Sequence, residues 1–573
     1  GVLFAEAPTG IGKTMSTLFP FVKSFHEGRV EKIFYLTAKG TGGIAAYLAA
    51  GELGRKGFQG WDSTLYSKEK ICFHPGHRCN PEDCPFAKGY YTKVKDVLKE
   101  AISTEAHFDF LSVTALSRKY GICPFEFQLD LSLFADIIIC DYNYFFDPIV
   151  HLKRYFDPEV DQSKFLVLVD EAHNLIERGR GMYSASLSSS AVSLAKKGLK
   201  GKKKQALSKA LSKIEKSLLG LKEGDGEEVL PSAPPEVEKA LEAFHNALIK
   251  ERKEQSSRPD YGPAFQELSR EEGRYLRLLR DFPSPSTRFV ASRKGEEVRL
   301  SLSCLDASAF LKESLSRVKG AVLFSATLSP ISYFSEGIIG EKEAPYLLLP
   351  TPFDEAKFHV MIAPKVSVRY KDRGKSYPEV ASYLKEFVLA KTGNYFLYFP
   401  SYEYLQSIRP FLDFPGSIIL VQGKKMSEEE KKGFLDSFSP NPTSTTVGLL
   451  ILGGAFSEGI DLVSDRLLGV AIVGVGLPQM NFQNNLIRDY YAQKGGDGFA
   501  YAYQNPGLGK VMQALGRVIR SEEDVGAALL IDDRYLRKEA RSLLERTHPS
   551  YEVVTNPSEV GESLGNFYSK WGK

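Results

Sequence analysis

Cysteine is scarce in this chain, with six residues in 573. That is too few for a secreted disulfide scaffold, so a reducing cytosol is the expected compartment. No run of about 18 consecutive apolar residues occurs, so no helix is expected to span a membrane. Charge of one sign is missing too. Lys plus Arg is 74 and Asp plus Glu is 71, a net of +3, so affinity for a polyanion must rest on local basic surface. The opening GVLFAEAPTG has neither the basic start nor the small-residue cleavage site of a signal peptide. It also lacks an initiator Met and begins inside an apolar run, which reads as a fragment with sequence missing upstream. Apolar residues at 43% and charged residues at 25% are an ordinary globular balance, which excludes a disordered or fibrous chain. At about 150 residues per domain, the length calls for three or four domains.

Between these absences lies an α/β pattern. Val2–Ala5 reads as a strand, followed by a Gly-rich turn and a helix from Lys13 to His26. Lys32–Thr37, Ala135–Cys140 and Phe165–Val169 are apolar runs that suit strands buried on both faces of a parallel sheet. Residues 190–300 are rich in Lys, Glu and Leu at helical spacing. Val298–Ser303 and Ala321–Phe324 return to strand patterns. A second α/β alternation follows from about 345, with strands expected at Tyr395–Phe399, Ile418–Val421, Val447–Leu452, Gly469–Val473 and Ala527–Ile531.

The turn after the first strand reads APTGIGKT, from Ala7 through Pro8, Thr9, Gly10, Ile11 and Gly12 to Lys13 and Thr14. Strand, Gly-rich loop and helix are the context of a phosphate-binding loop. Glycines turn backbone N–H groups toward phosphates, Lys13 supplies a point charge, and the Thr14 hydroxyl can hold Mg²⁺. The first pattern position is Ala7 rather than Gly. A carboxylate partner is supplied by LVLVDEAHN (166–174), an apolar strand ending in Asp170 and Glu171. At a strand's carboxyl end, Asp170 can hold Mg²⁺ and Glu171 can orient or deprotonate an attacking water. His173 could couple this site to the second domain.

Cys72, Cys79, Cys84 and Cys123 are separated by six, four and 38 residues, with His74 and His77 interleaved. Four thiolates could hold zinc or an iron–sulfur cluster, or could be unligated core cysteines; spacing alone leaves these open, with zinc ahead. Cys140 and Cys304 read as buried small hydrophobes. AKKGLKGKKK (195–204) carries six Lys and reads first as a solvated face, second as a phosphate-tracking strip. YNYFF (142–146) reads as core. Tyr90, Tyr91, Lys93 and the KEK at 68–70 are candidate nucleic-acid contacts.

The phosphate loop and Asp-Glu-Ala-His, with SATL (325–328), GGAFSEGIDL (453–462) and QALGRVIRS (513–521) following in order, resemble the motifs of a superfamily-2 DEAH-type helicase. The inserted cysteines, GICPFE (121–126) and CDYNYFFDP (140–148) resemble the iron–sulfur helicases related to XPD and DinG, the Rad3-related family, with the look of bacterial DinG- and YoaA-type proteins. The resemblance implies an α/β fold of two RecA-like P-loop motor domains. The first motor domain would span 1–67, 126–188 and 298–344. It would carry an iron–sulfur insertion at 68–125 and a helical Arch insertion at 189–297, and the second motor domain would span 345–573.

The same resemblance implies a catalytic set of Lys13, Asp170, Glu171, His173, Gln513, Arg517 and Arg520. Arg517 and Arg520 are expected on one helix face, acting on γ-phosphate charge. Ala7–Thr14 with Gly459 and Asp461 would bind ATP, and Thr14 and Asp170 would hold Mg²⁺. Cys72, Cys79, Cys84 and Cys123 become ligands of a 4Fe–4S cluster. Ser457 and Glu458 are candidate strand contacts. The family's glutamine-containing adenine segment would lie upstream of Gly1. The implied activity is ATP-dependent unwinding of forked or duplex DNA while moving 5′→3′ on single-stranded DNA, in repair or replication. The expected protein is a nucleoid-associated cytoplasmic monomer with no membrane contact, and single-stranded-DNA-binding protein is a candidate partner. An ATP-gated nucleic-acid clamp, or the helicase part of a helicase–nuclease, are the alternatives.

Overall fold

The computed structural model describes the chain except residues 39, 200–204, 255–260, 458–465, 549 and 572–573. It divides into two compact units. One comprises 1–2, 17–322 and 335–341; the other comprises 3–16, 323–334 and 342–573.

Three sheets organise these residues. The first is built from β1 (Val2–Glu6), β2 (Lys32–Thr37), β3 (Asp62–Thr64), β4 (His107–Phe108), β5 (Ile137–Asp141), β6 (Phe165–Asp170), β11 (Gly320–Ser325) and β12 (Tyr346–Leu348). Its order is β12-β1-β11-β6-β2-β5-β3-β4. The registers of β2 with β5 and β6, and of β3 with β4 and β5, are parallel. The apolar runs of β2, β5 and β6 are buried almost throughout, as a parallel sheet covered on both faces requires. The sheet's carboxyl edge therefore presents the residues just after each strand, where α/β sheets bind ligands.

The second sheet departs from expectation. The run over 298–303 does not join a parallel motor sheet. It is the centre of β10 (Glu297–Cys304), which pairs antiparallel with β7 (Ala185–Ser188) and β9 (Thr287–Lys294), while β8 (Gly226–Leu230) forms the far edge. The region expected to be a helical Arch thus carries a four-stranded sheet beside its helices at Gln205–Leu219, Pro235–Glu254 and Pro263–Asp281. The reason is period. In Glu297–Cys304, Val298, Leu300 and Leu302 are buried while Arg299 is exposed, a two-residue alternation that fits one covered face.

The third sheet contains β13 (Phe358–Ala363), β14 (Asn394–Phe399), β15 (Ile418–Val421), β16 (Thr446–Ile451), β17 (Gly469–Val473), β18 (Gly526–Ile531) and β19 (Glu552–Val553), in the order β15-β16-β14-β17-β18-β13-β19. Its paired registers are all parallel. One face packs under Tyr383, Leu384 and Phe387, the other under Val511, Leu515 and Tyr535. The interior strand β18 is buried along its whole length. Leu529→Ala should therefore cost about 2–5 kcal/mol by cavity formation. Urea unfolding followed by tyrosine fluorescence should show a lower midpoint; an unchanged midpoint would contradict this packing.

Candidate nucleotide and nucleic-acid sites

The phosphate loop leaves β1 with the Ala7 N–H donating to the Ser325 carbonyl at 2.9 Å. Gly10 and Gly12 adopt φ of 88° and 73°, the left-handed region that only glycine enters without strain. Helix α1 (Lys13–Lys23) starts directly behind them, so its positive end faces the loop. Lys13 Nζ donates to the Pro8 carbonyl at 3.1 Å, reaching back across the loop. A Cβ on Gly10 would overlap the Arg520 carbonyl oxygen and stand 2.9 Å from the Phe353 ring. Thr9 Oγ1 would lie 3.5 Å from a Cβ on Gly516. The loop and the arginine segment are thus in direct contact.

Asp170 ends β6 and is buried. The Tyr35 hydroxyl donates to its Oδ2 at 3.1 Å, and the Glu171 N–H donates to its Oδ1 at 2.9 Å. Glu171 itself has φ of 51°, a left-handed conformation rare outside glycine, which turns the chain sharply after the strand. The Tyr142 hydroxyl anchors this turn by donating to the carbonyls of Asp170 and, at 2.9 Å, Glu171. Burial, with Asp170 next in weight, pushes the Tyr142 phenol well up, so it stays a neutral donor. Glu171 remains half-exposed, 3.3 Å from His173 Nδ1, and Asn174 holds the other ring nitrogen at 2.9 Å. His173 is therefore joined to the glutamate on one side and to Asn174 on the other.

The expectation that Arg517 and Arg520 share a helix face is corrected. The helix Asn505–Leu515 carries Gln513 but stops before both arginines. Gly516 ends it, Arg517 lies in the following turn, and Arg520 lies in an irregular stretch beyond it. Asp524 sets that stretch by accepting from the N–H groups of Arg520 and Ser521, both at 2.7 Å. Arg517 Nη2 donates to the Ser457 carbonyl at 3.1 Å. Burial drives the Tyr398 phenol up, and the charges of Arg517 and Arg520 act on it in the opposite direction. Gly459, Asp461 and Glu458 lie outside the described residues. Ser457 does not offer its side chain to a nucleic acid. It is 1% exposed, accepts from the Gly453 N–H at 2.8 Å and donates to Ile451 O at 3.3 Å, closing the turn after β16.

In the cysteine-bearing insertion, the Lys68 ammonium stands among thiols. Cys79 first, then Cys72 and Cys123 push its pKa up. Lys68, Glu69 and Lys70 are all exposed, so the stretch stays open to a nucleic acid. Cys123 stands at the N-terminus of the helix Pro124–Leu131, and burial raises its thiol. The His74 N–H donates to Cys72 Sγ at 3.4 Å. Cys84 is buried. Among the described residues, no three His, Cys, Asp or Glu side chains converge closely enough to hold a metal. The donor set remains chemically suited to a cluster, since four cysteines lie in one insertion and a backbone N–H aimed at sulfur, as at Cys72, is the kind of donor that stabilises a thiolate ligand. Cys140 and Cys304 are buried, as expected of small hydrophobes.

The aromatic candidates separate. Tyr142, Phe145 and Phe146 are core. Tyr90 is removed from the contact set. It is 5% exposed in the insertion's core, and its hydroxyl donates to Asp130 at 2.7 Å. Tyr91 is 84% exposed. Of the basic run, residues 200–204 lie outside the described residues.

A feature unread in the sequence lies at the carboxyl ends of β14, β15 and β16. A cavity of about 600 Å³ is lined by Tyr402, Gln422, Lys424, Lys425, Lys431 and Gly454. Gln422 organises it, donating to the Tyr402 hydroxyl at 2.9 Å and accepting from the Ile451 N–H at 3.0 Å. Lys424 sits over the Tyr402 ring. The Lys-Lys pair just after an apolar strand was the available signal.

Comparison with known proteins accords with this arrangement. The Helicase C-terminal domain family matches residues 384–551, and the DEAD_2 family matches 62–192. The ATP-dependent DNA helicase CHL1 of Candida glabrata is 23% identical over 88% of this chain and 69% of its own length. The ATP-dependent DNA helicase DinG of Photobacterium profundum is 29% identical over 42% of this chain and 35% of its own. A solved structure titled XPD_Helicase superposes with a TM-score of 0.66 at 19% identity, covering 97% of this chain and 96% of that one. That likeness shows the fold of two RecA-like motor domains. With two of its characteristic domains matched over more than half its length, the chain belongs to the Rad3-related family of superfamily-2 helicases.

Proposed function

We propose that this protein is an ATP-driven DNA helicase. The observation that carries the reading is the contact of Gly10 in the phosphate loop with the backbone of Arg520, which brings a phosphate cradle and an arginine pair to one place. The loop N–H groups and Lys13 bind the β- and γ-phosphates. Thr14 and Asp170 would hold Mg²⁺, which neutralises charge on the transferred phosphoryl group. Glu171, held outward by its left-handed turn, orients the attacking water and takes its proton. His173 positions Glu171. Arg517 and Arg520 stabilise charge that develops on the γ-phosphate, and Gln513 stands one helical turn before them.

DNA is the substrate that the names of the relatives favour. The lysines and Tyr402 around Gln422 suit a single strand, since lysines meet phosphates and an aromatic ring can stack a base. Cys72, Cys79, Cys84 and Cys123 would hold a 4Fe–4S cluster, whose part is to fix the insertion that parts the duplex. Movement 5′→3′ on single-stranded DNA, forked substrates, a place in repair or replication at the nucleoid, single-stranded-DNA-binding protein as partner and a monomeric state complete the reading. They rest on the resemblance of the motifs.

Lys13→Ala should lower DNA-stimulated ATP hydrolysis by orders of magnitude with the fold intact by circular dichroism. Near-normal turnover in the variant, measured in the full-length protein, would remove the phosphate-loop assignment. Anaerobically purified protein should contain about four irons per chain and absorb near the iron–sulfur charge-transfer band, and Cys123→Ser should bleach it. Stoichiometric zinc without iron would overturn the cluster.

A further inference from the structure

Helix α2 (Gly40–Arg55) meets the nucleotide-facing carboxylate at one end and the cysteine-bearing insertion at the other. Near its start, a Cβ on Gly42 would stand 3.3 Å from Asp170 Oδ2 and 3.4 Å from the Thr37 side chain. Near its end, a Cβ on Gly54 would stand 2.7 Å from Nε2 of His107. Between these points α2 lies along β2, β5, β3 and β4. Its sheet-facing residues Gly43, Ala46, Ala49 and Ala50 are small, which brings the helix axis close to the strands. Sixteen residues make a rod of about 24 Å.

His107 is the point of transfer. Its Nδ1 is ion-paired with Asp62, which is 1% exposed. Asp62 and His107 are register partners where β4 adds to β3 as the outermost strand of the motor sheet. The next residue, Phe108, belongs to the insertion's own core with Ile71, Val97, Ile122 and Phe127. Asp109 then caps the helix Phe110–Tyr120, which Gly121 ends, two residues before Cys123. Lys119 at the end of that helix is tied to Glu100 at 2.7 Å. The path from Asp170 to Cys123 thus runs through α2 to His107, through the Asp62–His107 bond to β4, and along Phe108 and the capped helix behind it.

We infer that α2 acts as a push-rod: a displacement at its Asp170 end on nucleotide binding is delivered through Gly54 to His107, and through β4 to the insertion. Close-packed interiors transmit small shifts because they have no free volume to absorb them. The missing Cβ at Gly54 removes the clearance that would let the helix slip past the imidazole. The hydrogen bond between His107 and the buried Asp62 makes β4 follow. His107 and Gly54 are thus positioning residues for strand separation, a role that rests on the helicase reading above.

The test uses the full chain, its His107→Ala, His107→Gln and Gly54→Ala variants, and ADP–beryllium fluoride as the nucleotide probe. Hydrogen–deuterium exchange is compared with and without the probe at the phosphate loop and over residues 107–120, and base pairs unwound per ATP are counted. In the unaltered protein the probe should change protection in both segments. In His107→Ala the loop should still respond, while the response over 107–120 is lost and unwinding per ATP falls about fivefold or more. His107→Gln, which keeps a donor to Asp62, should recover part of both. If His107→Ala fails to fold, Gly54→Ala carries the same expectation. A preserved response over 107–120 in the alanine variants, or no response there in the unaltered protein, overturns the push-rod. Failure of the unaltered protein to unwind would remove the helicase reading alone, because the exchange response is read without DNA.

Discussion

A carboxylate at the buried end of a strand must be held by hydrogen bonds, because leaving it unpaired costs several kcal/mol. Asp170 meets this constraint with the Tyr35 hydroxyl and the Glu171 N–H. Much of the first unit follows from it. Tyr35 stands on the neighbouring strand in parallel register, so β2 and β6 must pair as they do. The bond from the Glu171 N–H accompanies the left-handed turn that leaves the glutamate outward, and Tyr142 holds that turn from the next segment. The approach of α2 to the carboxylate is possible because position 42 is glycine.

The arginine segment obeys a different logic. Helical geometry would have fixed the spacing of Arg517 and Arg520 but tied their direction to the helix. Ending the helix at Leu515 frees the segment to be shaped by Asp524 and by the contact with Gly10. Arg517 is anchored to the carbonyl of Ser457, in the turn within the GGAFSEGIDL segment after β16. A rearrangement of that turn would therefore be felt at Arg517, and the proposed function needs a coupling of this kind.

Much of this was legible in the sequence. Apolar runs such as Lys32–Thr37 and Ile418–Val421 announce strands, and both were placed to the residue, although only the first is buried on both faces and the second is an exposed edge strand. The glycines of the phosphate loop and the Asp-Glu pair were legible because their chemistry tolerates few substitutes. What escaped was short or set by tertiary contact. Asp62–Thr64 is a three-residue polar strand with no periodicity to read, yet it is fully buried. Tyr90 and Tyr91 are indistinguishable by type, and only packing shows that one is core and the other exposed. The helix end at Leu515 depends on Gly516 and on a carboxylate eight residues beyond it. Phe108, Ile122 and Phe127 share one core with Ile71, residues up to 56 positions apart, which spacing cannot reveal.

The central claim is that hydrolysis at the phosphate loop drives directed movement on one DNA strand. Strand displacement with a labelled duplex carrying either a 5′ or a 3′ single-stranded tail tests it most directly. The account predicts ATP-dependent displacement from the 5′-tailed duplex and little from the 3′-tailed one. Equal displacement from both would contradict directed 5′→3′ movement, and ATP hydrolysis without displacement from either would contradict the helicase itself.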